Sequence, residues 1–267
     1  MFIKTLNYRA DKYIISIGVK IMELNDKILK LNELIAQSSR IVFFGGAGVS
    51  TESNIPDFRS ADGIYMTDYK IQPETILSHT FFMEHTAEFY DFYRKHLCYP
   101  DAKPNDAHYK LAELEKSGKL LSVITQNVDG LHTKAGSKSV CELHGSALRN
   151  YCMKCGKFYD FDYVYKADGI PRCECGGIIK PDVVLYEEPL DSDVITKAVI
   201  AITAADLLIV AGTSLTVYPA AGFIRYFSGD NLVLINRDET EMDSKFGLII
   251  HEKVGEVLSR INFSSDK

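Results

Sequence analysis

Four of the six cysteines in this 267-residue chain sit in two tight pairs, Cys152-Met-Lys-Cys155 and Cys173-Glu-Cys175. Each short loop can place two sulfurs on one tetrahedron, so the spacing predicts a four-thiolate zinc site. A redox pair is the alternative reading of so short a spacing. Four thiolates leave no open coordination position, so the metal would fold a small lobe and would not activate water. Gly156, Gly176 and Gly177 lie beside the pairs and permit tight turns. The other thiols, Cys98 and Cys141, read as half-buried core residues.

A second concentration of chemistry is a series of polar loops. Gly45-Gly-Ala-Gly-Val-Ser-Thr51 is a glycine-rich turn of the kind that offers backbone N–H groups to phosphate at a helix start. A tight structural turn is the other reading of the same residues. The turn does not spell G-x-G-x-x-G, and no acidic residue closes the second strand to hold an adenosine ribose in the usual position. Further loops carry Ser53-Asn-Ile-Pro-Asp-Phe-Arg59, Gln126-Asn-Val-Asp129, His144-Gly145, Gly212-Thr-Ser214 and Asn236-Arg237.

Such loops need elements to hold them. The short apolar runs Ile41-Val-Phe-Phe44, Leu120-Leu-Ser-Val-Ile124, Leu207-Leu-Ile-Val210 and Leu232-Val-Leu-Ile235 read as buried strands, each running into one of these loops. Helical stretches alternate with them. The predicted class is therefore α/β, a Rossmann-like doubly wound parallel sheet whose ligands bind beyond the carboxyl ends of its strands. Met22 opens a helix with Leu24, Ile28, Leu31 and Ile35 at helical spacing.

Residues 1–21 read as an N-terminal extension or a misplaced start, and 22–267 as the main domain. The run Tyr13 to Val19 resembles a weak signal core, but Ser16 and Gly18 interrupt it and no cleavage site follows. A smaller lobe is expected from about 61–104, where much of Glu74 to His96 has helical character, and from 149–177, which holds the cysteine pairs. Ser264 to Lys267 read as a frayed tail.

Composition narrows the function. With 46% hydrophobic and 25% charged residues, the chain is an ordinary globular protein. No apolar run approaches the ~20 residues of a membrane helix. A net charge of −6 argues against nucleic acid as a ligand. Cysteines in metal-type pairs indicate a reducing, cytoplasmic location, and a monomer is the default expectation.

The motifs, in this order and spanning about Met22 to Ile261, resemble those of the sirtuins, the NAD-dependent protein lysine deacylases. The resemblance implies that NAD is a co-substrate, zinc a structural ion, and acetylated lysine-containing proteins the partners. It implies that Gly46, Ala47, Thr51, Phe58 and Arg59 belong to a cofactor loop, with Phe58 over the nicotinamide end and Arg59 near the phosphates. Gln126 would hold the ribose, and Asn127, Val128 and Asp129 the nicotinamide pocket. Gly212, Thr213, Ser214, Asn236 and Arg237 would lie on the adenosine side, with Val254 against adenine. His144, Asn127 and Asp129 would be catalytic. By the same resemblance, the acyl oxygen attacks the ribose carbon as nicotinamide leaves. His144 then deprotonates a ribose hydroxyl that attacks the resulting imidate, and water releases lysine and O-acyl-ADP-ribose. His132 is expected to be structural, and His79, His85, His96, His108 and His251 to be surface or packing residues.

Pro181-Asp-Val-Val-Leu-Tyr-Glu-Glu188 resembles the peptide-binding strand, with Val184, Leu185 and Tyr186 on one wall and Val217 on the other. An ordinary edge strand is the plain alternative. Leu185-Tyr186-Glu187 stands where the family frequently has an aromatic pair and glycine. Sirtuins that remove succinyl or malonyl carry Tyr-x-x-Arg in the helical insertion. Here Phe89-Tyr-Asp-Phe-Tyr-Arg94 puts arginine one position late, about 100° around a helix, so uncharged acyl groups, chiefly acetyl, are expected. The competing readings are a sirtuin-fold ADP-ribosyltransferase, an NAD(P)-dependent oxidoreductase and a zinc-ribbon module binding nucleic acid.

Overall fold

The computed structural model describes residues 24–60, 63–64 and 71–263. The extension 1–21, the opening of the first helix at Met22 and the tail 264–267 lie outside the described residues. Six parallel strands form the main sheet in the order β3-β2-β1-β7-β8-β9. They are β1 (Ile41–Gly45), β2 (Leu120–Thr125), β3 (Val140–Glu142), β7 (Leu207–Ala211), β8 (Asn231–Ile235) and β9 (Leu248–Ile250).

The alternation of side chains along these strands explains the layers. Ile41, Phe43, Ile209 and Val233 point to one face, where they pack with helix α1 (24–37), α5 (Asp106–Lys116) and α9 (Val254–Ser259). Val42, Phe44, Val210 and Leu234 point to the other, against α8 (Ser192–Ala204) and the 3-10 segment Ala220–Tyr226. Because both faces are covered, the strands read as unbroken apolar runs in the sequence. The α/β doubly wound class expected from those runs is what the chain adopts.

The smaller lobe draws on two separated parts of the chain. The helical stretch resolves into α2 (Pro73–Ile76), α3 (His79–Glu84) and α4 (Thr86–His96). Ser78 caps α3 by accepting from Phe81 N–H at 3.1 Å. The cysteine segment, which has little periodicity as sequence, holds an antiparallel sheet of β4 (Gly145–Cys152), β5 (Phe158–Asp160) and β6 (Ile179–Val183), with α7 (Phe161–Tyr165) between β5 and β6. The sheet runs past both ends of 149–177. Helix α6 (Leu131–Ala135) follows β2 in the large domain. One apolar core joins the two parts, with Phe82, Phe89, Tyr90 and Tyr93 packed with Ala147, Cys152, Tyr159, Ile179 and Leu185.

Candidate functional site

A cleft of about 860 Å³ opens at the carboxyl ends of the main strands, under the edge of the smaller lobe. Every residue assigned from the sequence to cofactor or peptide lines it. Gly46, Ala47, Thr51, Phe58 and Arg59 come from the loop after β1, and Gln126, Asn127, Val128 and Asp129 from the loop after β2. Gly212, Thr213, Ser214 and Val217 follow β7, Asn236 and Arg237 follow β8, and Val254 begins α9. His144 precedes β4, while Val184, Leu185 and Tyr186 follow β6. The lining also includes Leu97 and Tyr99, which carried no signal as sequence, and His96, which was expected to be a surface or packing residue.

The glycines of the first turn are required by backbone approach. Gly46 N–H donates to Ala211 O at 3.1 Å and Gly48 N–H to Gly212 O at 2.8 Å. A Cβ on Gly48 would lie 2.8 Å from Gly212 Cα, and Gly212 itself has φ +59°. The turns after β1 and β7 are thereby pressed together, and Gln126 Nε2 donates to Thr213 Oγ1 at 3.1 Å across the same floor.

Behind the turn, Ser50 joins two of the candidate catalytic side chains. Its hydroxyl donates to Asp129 Oδ2 at 2.7 Å and accepts from Asn127 Nδ2 at 3.1 Å. Leu131 N–H donates to the other Asp129 oxygen at 2.9 Å. Burial raises the Asp129 carboxyl above its ordinary value, and the bonds from Leu131 and Ser50 oppose that. The sequence shows Ser50 within the glycine-rich turn but gives no sign of this bridge, which joins loops 77 residues apart. Asn105, the N-cap of α5, supports the same turn from outside, donating to Val49 O at 2.8 Å and Ser53 Oγ at 3.0 Å.

His144 Nδ1 lies 3.0 Å from Gln126 O. A carbonyl can only accept, so Nδ1 carries the proton and Nε2 keeps its lone pair. Burial lowers the imidazole pKa, and the Gln126 carbonyl partly offsets that. The ring is therefore neutral near pH 7 and suited to accept a proton. On the far side, the His144 carbonyl accepts from Val184 N–H at 3.0 Å, which ties this residue to the start of the 184–187 wall.

Helix α4 does not deliver its charge to the cleft. Tyr90 is fully buried and donates to Ile179 O, while Arg94 donates to Val164 O at 3.3 Å and to Gly169 O. The Arg94 guanidinium also stacks 5.1 Å over the Tyr90 ring. Neither side chain, nor Tyr93, lines the cleft.

The four paired cysteines converge on one point at the far end of the small sheet. All four sulfurs lie within 4.8 Å of one another, with Cys152 and Cys175 at 3.4 Å and Cys155 and Cys173 at 3.6 Å. A tetrahedron with Zn–S bonds near 2.3 Å has sulfurs roughly 3.8 Å apart, so the set fits zinc. Gly177 makes room, since a Cβ there would stand 2.7 Å from Cys152 Sγ. Lys154 N–H donates to Cys152 Sγ at 3.4 Å, a bond that favours thiolate.

The fold and the loops have counterparts among known proteins. A deacetylase of Clostridium acetobutylicum, named NAD-dependent protein deacetylase, is 58% identical over 90% of this chain and 100% of its own length. One of the same name from Clostridium perfringens is 57% identical over 89% and 99%. Among solved structures, a Sir2 homologue in complex with NAD aligns with a TM-score of 0.78 at 36% identity, covering 87% of this chain and 91% of that one. A Sir2 variant holding a deacetylated p53 peptide and 3'-O-acetyl-ADP-ribose aligns with a TM-score of 0.81 at 38% identity, covering 88% and 96%. With a family model matching residues 46–219 as well, the glycine turn, the His144 loop and the cysteine ribbon all fall within one lineage, and the chain belongs to the Sir2 family.

Proposed function

We propose that this chain is an NAD-dependent protein lysine deacetylase, consuming NAD and releasing nicotinamide, O-acetyl-ADP-ribose and free lysine. The observation that carries the reading is the fixed tautomer of His144 in a cleft whose floor is the Gly48–Gly212 contact and whose inner end is the Ser50–Asn127–Asp129 cluster. NAD supplies the ribose carbon that takes the acyl oxygen and the nicotinamide that leaves. The chain supplies position and proton transfer. Asn127 and Asp129, held by Ser50, offer a donor and an acceptor to a carboxamide. Gln126, fixed to Thr213, would hold the ribose. His144 Nε2 accepts the proton of a ribose hydroxyl. Phe58 and Arg59, on the loop after β1, would exclude water and hold phosphate respectively.

The four thiolates hold zinc, which ties the ribbon together and takes no part in the reaction. Substrates are acetylated proteins whose lysine enters between the 184–186 wall and Val217. Tyr90 and Arg94 are committed to backbone carbonyls of the small lobe, which supports preference for uncharged acyl groups. The cytoplasm is the proposed location, because thiolate ligands survive in a reducing compartment. Among the described residues no helix is long and apolar enough to cross a membrane. A monomer without nucleic acid is the proposed working form, the net charge of −6 disfavouring a polyanionic ligand.

Matched acetyl-lysine and succinyl-lysine peptides, each incubated with protein and NAD, test the acyl assignment. Faster loss of acetyl is expected, and faster loss of succinyl would sink it. Label from NAD appearing on protein while both peptides stay intact would favour ADP-ribosyl transfer instead.

A further inference from the structure

Three residues other than glycine have positive φ among the described residues, and one of them, Glu187 at +76°, stands on the cleft wall that follows β6. A glutamate gains nothing from that conformation, which is costly for a residue with a Cβ. The side chain shows what it gains instead. Glu187 Oε2 accepts from Thr80 N–H at 2.9 Å and from Thr80 Oγ1 at 2.7 Å. These bonds, the backbone one first, hold its carboxyl below the usual range.

The tie adds to a backbone seam on the same edge. Tyr186 N–H donates to Leu77 O at 3.0 Å and its carbonyl accepts from His79 N–H at 2.9 Å, a single parallel bridge between Ser78 and Tyr186. The stretch 184–187 is thus fastened to the start of α3 along one edge while its residues line the cleft with the other. A second side-chain tie runs on the same edge, with His79 Nδ1 2.9 Å from Glu188 Oε1, so Glu187 is one of two side-chain anchors beside the bridge.

The geometry points to Glu187 as a positioning residue for the acyl-lysine peptide, its carboxylate clamping the peptide wall of the cleft to Thr80 of the small lobe. The inference rests on the deacetylase reading, which is what assigns 184–187 to the peptide. It explains why a glutamate occupies a position whose backbone suits glycine: the anchor outweighs the strain. It also makes the peptide side, and not the NAD side, the part that depends on Glu187.

Binding of a fluorescent acetyl-lysine peptide and, separately, of NAD to full-length protein tests this with three variants. Glu187→Ala and Glu187→Gly remove the anchor, and both are expected to weaken peptide binding about tenfold with NAD binding unchanged. Glu187→Gln keeps an oxygen for both Thr80 bonds and is expected to stay within about twofold of wild type. Because glycine suits the backbone, Glu187→Gly also guards against simple misfolding. Wild-type affinity in Glu187→Gly would overturn the clamp. So would Glu187→Gln as weak as Glu187→Ala, which would make charge the operative property, or NAD binding falling in step with peptide binding. A wild-type protein that bound no acetyl-lysine peptide would instead overturn the deacetylase reading, and the clamp with it.

Discussion

At His144 one hydrogen bond decides which nitrogen can act, and the chemistry of the site follows from it. With Nδ1 donating to Gln126 O and the pKa lowered by burial, the imidazole is neutral at pH 7, as the proposed base must be. kcat/KM should therefore fall only as pH drops through a value below 6.5, and a pH–rate profile whose acid limb lies above 7 would contradict this assignment. His144→Ala should lower kcat by roughly 10²–10⁴-fold with NAD binding retained, as read by titration and single-turnover assay. The letters of this site were legible, since the loops after the strands hold side chains able to do the work. Ser50 was not, because its role is a contact across loops distant in sequence. Glu187 carried a signal of another kind, an unexpected residue in a familiar stretch, whose partner Thr80 lies on an insertion.

Elements were legible in proportion to their length and pattern. β1, β2, β7 and β8 are apolar runs of five or six residues, and the sequence locates each to within a residue or two. β3 and β9 have three residues each, too few for a pattern, and they sit at the edges. β4 was hidden because its exposed and buried positions do not alternate regularly, and a register shift interrupts its pairing with β6. Gly145 makes that pairing possible, since it has φ +72° and a Cβ there would overlap Asp182 O. Gly145→Ala should cost about 3 kcal/mol or more in denaturant unfolding and depress activity, because His144 and Val184 meet at this point. At the other end of the lobe, Cys152 and Cys173 are buried in the core shared with α4. Cys173→Ala should release zinc, measured by a chromogenic chelator, and open the small lobe to proteolysis while the parallel sheet stays protected. Full zinc occupancy in that variant would contradict the four-thiolate assignment.

Across the whole molecule, two insertions far apart in sequence share one core, a union expected from their place between the strands and not from local periodicity. Local periodicity gives no sign of a buried pair in the large domain either. His108 and His132 lie with ring centroids 4.6 Å apart, almost wholly buried, with His108 Nε2, both His132 nitrogens and Ser137 Oγ unpartnered among the described residues. Burial lowers the pKa of His108 to about 4; burial and then the neighbouring His108 lower that of His132 to about 3. Unfolded histidines titrate near 6.5, so between about 4 and 6.5 the unfolded chain binds more protons than the folded one. Stability from this source is intact above pH 6.5 and falls as the pH drops, by a few kcal/mol, roughly, near pH 5. The unfolding midpoint should fall accordingly, and less steeply in His132→Phe. An equal acid slope in that variant would remove the pair as the cause.

In the proposed reaction one cleft couples cleavage of NAD to removal of an acetyl group, and one mixture tests it. Purified protein and an acetyl-lysine peptide, with and without NAD, are followed by mass spectrometry for peptide mass and free nicotinamide together. Loss of acetyl matched one for one by nicotinamide, and only with NAD, is the predicted result. Nicotinamide released while the peptide keeps its acetyl group, or acetyl lost without NAD, would contradict it.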